Sequence, residues 1–197
     1  MANNVIKLAG AKEEFVAKMG LVDKTMQKAL LDQKVQIVDF KMYSARYIAA
    51  DTTIELMQAS DTKKVGITNV NNRKLGANEY ALFKGMQLLQ STAAVARGTS
   101  DSAVAAADYS VISPNVANGE LEIKQGDRIL MPRSSCQGFK TSTYADGLPG
   151  YVAFDSPKMM SPLTDIIPTL YLPAAEDTST NNTFIKVVFH GVKTNKA

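Results

Sequence analysis

The chain has 197 residues, 45% of them hydrophobic and 21% charged, with a formal net charge of +3. That length suits one domain, or one domain with an appended arm, and the composition argues against a disordered chain. No stretch offers the roughly 18 consecutive apolar residues of a spanning helix, so no membrane span is expected. The single cysteine, Cys136, excludes an intrachain disulfide. The basic surplus is thin and mixed, so nucleic-acid binding is not indicated. Residues 1–34 carry six Lys against four acidic groups. Residues 1–10 lack the basic and apolar regions of a secretory signal, and a mature product made in the cytosol is expected.

From Ala11 to about Lys34 the sequence reads as helical. Phe15, Met19, Val22, Met26 and Ala29 recur at spacings of four and three, a one-sided apolar stripe. Gly20 interrupts it and Asp23 can cap a second helix, so two short helices or one kinked helix both fit. Helices this short barely hold alone and must dock. Phe15, Met19, Val22, Met26 and Leu30 are therefore the candidate assembly interface. They can pack on the chain's own β-domain or on a neighbouring subunit, and burial energy does not choose between the two.

From Val35 the pattern changes to strands. Val35 and Ile37 alternate on one parity and Val38, Phe40 and Met42 on the other, which a β-bulge would reconcile. Ile54 and Leu56 mark a short strand, followed by turn clusters at 69–74 and 76–78. Tyr80–Leu89 suits helix or strand, and the small residues of 97–108 suit a loop or a short helix around 103–107. Leu121 and Ile123, then Ile129 and Met131, flank Gln125-Gly126-Asp127 as a hairpin. A long loop is expected over 132–149. Ile166–Leu172 contains Pro168, which predicts an edge strand or two short pieces. Phe184–Val192 is apolar on both faces and is expected to be central or sandwiched. Many short strands with turns between them predict a mainly β chain: an N-terminal helical arm over 1–34 and a β-sandwich over 35–197.

Catalytic chemistry finds few residues. His190 is the only histidine; on so apolar a strand it reads as structural. Cys136 follows Arg133, which is placed to lower its pKa, but no nucleophile signature surrounds it and it reads as inert. One His and one Cys fall short of a zinc set. The loop Glu176–Asn182 has oxygen ligands but not the spacing of a calcium loop. Glu120 and Glu122 share a side of one strand, and a two-carboxylate hydrolase is a rival reading; alternating Leu121 and Ile123 make them more simply its wet face. No nucleotide-binding glycine loop occurs, and no cofactor is expected.

Three stretches resemble the jelly-roll capsid proteins of icosahedral viruses, tailless bacteriophages in particular: 118–132 (NGELEIKQGDRILMP), 161–174 (SPLTDIIPTLYLPA) and 181–194 (NNTFIKVVFHGVKT). The resemblance implies a single jelly-roll sandwich preceded by an arm. It also implies a non-enzymatic viral structural protein that builds or decorates a shell or vertex, with partners that are copies of itself and other capsid proteins. The expected location is the virion. A carbohydrate-binding adhesin module is the other rival, weakened by the absence of Trp.

Overall fold

In the computed structural model, residues 11–48, 51–93, 101–140, 148–176 and 182–196 are described. They form two antiparallel four-stranded sheets packed face to face. The first sheet has the order β1 (Val35–Ile48), β8 (Asn182–Lys196), β3 (Ala81–Ala93), β6 (Tyr151–Met160). The second has the order β2 (Thr53–Glu55), β7 (Ile166–Tyr171), β4 (Glu120–Gln125), β5 (Arg128–Ser135). Four of the ladders thus join β1 to β8, β2 to β7, β3 to β6 and β4 to β5.

The shared core draws alternate residues from both sheets. Met42, Phe83, Met86, Leu88, Ile185, Val187 and Phe189 face Ile54, Leu121, Ile123, Leu130, Ile166 and Leu170, all buried. The Phe83 and Phe189 rings lie 5.4 Å apart. The outer face of the first sheet is also covered. Helices α1 (Ala11–Ala17) and α2 (Lys24–Leu31), joined by a 3-10 turn at Met19–Leu21, roof one end. Helix α3 (Asp101–Ala106) roofs the other, with Val104 packed on Ala45 and Phe184. This double covering explains why β8 is apolar on both faces, as its sequence predicts.

Three expectations change. Strand β1 pairs with β8 over 14 consecutive positions without a bulge. Its two apolar parities reflect two buried faces, Met42 inward and Val35 and Ile37 under the helices. Pro168 does not mark an edge: β7 is continuous and central, between β2 and β4. The Pro168 carbonyl accepts from Leu56 N at 2.8 Å. Its own missing N–H faces the same side, beyond the end of β2 at Glu55, so no ladder bond is lost. The expected long loop after Pro132 is shorter, because β5 continues to Ser135 and a 3-10 turn (Cys136–Lys140) follows. Tyr80–Leu89 resolves as strand, and 101–106 as the short helix α3.

A bulge at Lys84 lets β3 follow both neighbours. Opposite it stands Gly191, where a Cβ would overlap the Leu82 carbonyl oxygen and crowd the Phe83 backbone. Backbone atoms cannot yield as a side chain tip can. Gly191→Ala is expected to cost about 2 kcal/mol or more, or to prevent folding, measured as a lowered denaturant midpoint.

Candidate assembly surfaces

The N-terminal stripe sits on the chain's own sheet. Phe15, Val22 and Met26 are buried against Tyr80, Leu82, Met159 and Val192, with Leu30 packed partly beside them; Met19 is half-buried. Polar contacts fix the seat. Asp23 caps α2 by accepting from Met26 N at 2.9 Å, and it also accepts from the Tyr80 hydroxyl at 2.7 Å. Those hydrogen bonds, that of Tyr80 first, hold the Asp23 carboxyl below its usual range. The Lys18 ammonium donates to the Pro157 carbonyl at 2.9 Å. While the helices stay docked, Phe15, Val22 and Met26 are not free to meet a neighbour. Val16, Leu21 and Leu31 are what these helices leave exposed.

The outer face of the second sheet is polar and internally paired. Arg73 donates to Glu55 at 2.8 Å and to Asp165 at 2.7 Å, tying β2 to the loop before β7. The Arg133 guanidinium lies 3.6 Å from the Tyr171 ring centroid, a cation–π contact. It therefore does not activate Cys136. That thiol is buried in the core, and burial, followed by the nearby Glu120 charge, pushes it up to about 12. Glu120 is exposed on this face, but Glu122 is buried. The Lys124 ammonium at 2.7 Å holds the Glu122 carboxyl below its usual range. A carboxylate stabilised in this way is a poor proton donor at neutral pH.

His190 is 1% exposed, on the outward-facing parity of β8. Its Nε2 stands 2.7 Å from Gln87 Oε1, and Gln87 Nε2 donates to the Pro149 carbonyl at 2.8 Å. The Tyr151 ring meets it edge-on at 5.5 Å. Burial first, and the Lys41 charge second, push its pKa down to about 4, while Nδ1 has no hydrogen-bond partner. This is a neutral imidazole held by an amide, with neither a nucleophile nor a carboxylate at hydrogen-bond distance among the described residues.

Among the described residues no group of three or more His, Cys, Asp or Glu side chains could hold a metal ion. Of the oxygen-rich loop, Glu176 accepts from Asn115 Nδ2 at 2.8 Å; 177–181 lie outside the described residues. No described helix is long and apolar enough to cross a membrane.

Strand β1 carries a surface that the sequence pattern does not flag. Its far side is clamped only at one end, where Ala45 N donates to the Ile67 carbonyl at 2.7 Å and Tyr43 N donates to Asn69 Oδ1 at 2.9 Å. Asn69 Nδ2 completes the clamp by donating to the Lys41 carbonyl at 2.6 Å. Among the described residues nothing pairs with the edge over 35–40. Recognising this edge requires knowing that β1 lies outermost in its sheet, and no property of residues 35–41 reports that. The sequence matches no protein-family model and no curated protein.

Proposed function

We propose that this chain is a structural protein of a virus particle, a single jelly roll that works by assembling with copies of itself. The pairing of first strand with last, second with seventh, third with sixth and fourth with fifth carries the reading. An antiparallel ribbon of four such pairs, rolled so that alternate pairs fall into opposite sheets, generates the order 1-8-3-6 over 2-7-4-5. Eight strands in two Greek keys describe the jelly roll used by viral shells, by lectins and by cupins.

Within that set the side chains favour the shell. Cupin chemistry uses a histidine-rich metal centre inside the barrel. The one histidine here lies on the outward parity of β8 and is held by Gln87. The second sheet presents charges already paired with one another rather than a cluster of aromatic side chains. Function then lies in surface geometry, with modest contacts multiplied by symmetry. The site of action is the virion, and the partners are other copies of the chain together with other shell proteins.

Electron microscopy of the purified chain tests this. Closed rings, shells or regular arrays are expected, and featureless single molecules at every concentration would overturn the proposal.

A further inference from the structure

We infer that residues 35–41 of β1 form a strand-pairing surface that joins two copies of this chain; the inference rests on the self-assembly reading and names its contact. An open strand edge is a template for aggregation, and proteins blunt their edges. Three of the four edges here are blunted. Strand β2 is three residues long. Strand β5 carries Pro132, Arg128 and Arg133. Strand β6 carries Pro157, and its ladder with β3 is interrupted over 154–157. Strand β1 is long and regular, and over its free part only Asp39 and Lys41 act as edge charges. It runs 14 residues without proline, glycine or bulge, and its unpaired part is Val-Gln-Ile-Val-Asp-Phe together with the N–H of Lys41.

The direction of the free groups follows from the clamp. Residues 43 and 45 aim their N–H groups away from β8, toward Asn69 and Ile67. The ladder to β8 has no register shift, so Val35, Ile37, Asp39 and Lys41 aim theirs the same way. A second copy of β1 running antiparallel satisfies them, and the clamp restricts the register. Symmetry about Phe40 would bring Ile37 onto the occupied Tyr43. Symmetry about Asp39 would oppose like charges. Symmetry about Ile37 would pair Lys41 with Gln33, which lies in a turn at φ 58°. Symmetry about Val38 pairs 37 with 39 through free groups, and 35 with 41. There the Lys41 N–H is free and its carbonyl, already accepting from Asn69 Nδ2 at 2.6 Å, has one lone pair left for Val35 N–H.

Charge supports the same register. Lys41 and Asp39 are exposed, and neither has an ion-pair partner among the described residues. Opposite Val35, the Lys41 of a second copy stands at the mouth of a cavity of about 460 Å³ lined by Asp23, Met26, Lys34, Val35 and Glu79. Asp23 has no cationic partner there among the described residues, and it supplies the complementary charge. The contact occurs twice across the two-fold axis. Leu31, 75% exposed just before the strand, adds apolar surface beside it.

The test uses the full chain, light scattering after size exclusion, and thermal unfolding. Asp39→Pro removes an outward N–H while leaving the β8 ladder intact, so it should unfold within a few degrees of the parent. Its self-association should weaken about tenfold or more, because two symmetry-related hydrogen bonds are lost. Lys41→Glu should weaken association with no change in unfolding. If Asp39→Pro is folded and associates like the parent, the edge inference fails and the self-assembly reading stands. If Asp39→Pro does not fold, Lys41→Glu decides, and association like the parent's in that variant overturns the inference. If the parent never associates, both fail.

Discussion

Acidification from pH 7 to pH 4.5 is expected to remove about 2 kcal/mol of folding stability through His190 alone. The imidazole is buried and its pKa is about 4 in the folded chain, against 6.5 for the ordinary side chain. Between those two values the unfolded chain takes up a proton that the folded chain refuses. The stabilisation is complete above about pH 7 and is lost progressively as pH falls toward 4. The carboxyls of Asp23, Glu79, Glu122 and Asp165 are also held below their ordinary values of 3.8 or 4.5, so they add acid sensitivity of the same sign, most of it at the acid end of this range and below. Urea denaturation at half-unit pH intervals measures the slope, and His190→Gln should flatten it between pH 4.5 and 6.5. An unchanged slope in that variant would mean that other groups carry the acid sensitivity.

Phe15→Ala should be among the most damaging single truncations in the first 34 residues. The ring is fully buried against Leu82, Met159 and Val192, and removing it is expected to cost about 3–5 kcal/mol. Undocking of both short helices limits that cost, because neither holds its shape alone. Limited proteolysis between Lys12 and Leu31 should therefore accelerate together with the fall in the denaturation midpoint. Leu31→Ala, at a position 75% exposed, should stay within about 0.5 kcal/mol of the parent in the monomer. Protein concentration separates the two possible seats for the stripe. A stripe docked on its own sheet loses the same stability at every concentration. A stripe docked on a neighbour would show the loss only where copies associate.

The two-sheet architecture is legible in the sequence because strand signals are local. Alternation at Leu121 and Ile123, the turn at Gly126 and the doubly apolar run from Phe184 all report what their own neighbours do. The break at Gly20 and the cap at Asp23 likewise mark the two helices. Where structure and sequence pattern part, the cause is a contact distant in sequence. The two parities of β1 suggest a bulge until α2 is seen covering the outer face. Pro168 suggests an edge because its neighbour β2 ends one residue early, which nothing near Pro168 reveals. The helical stripe shows one apolar side but not whose sheet it meets. Arg133 stands three residues from Cys136 in sequence, yet its side chain lies over Tyr171 on the opposite face. The open edge of β1 is hardest to read, since its existence depends on where the loop 67–69 stops.

Sedimentation velocity from about 1 µM to about 1 mM, a span that covers weak and moderate self-association, tests the assembly reading most directly. A concentration-dependent shift from the 21.3 kDa monomer to larger discrete species is expected. A single monomer boundary across the whole range would contradict it.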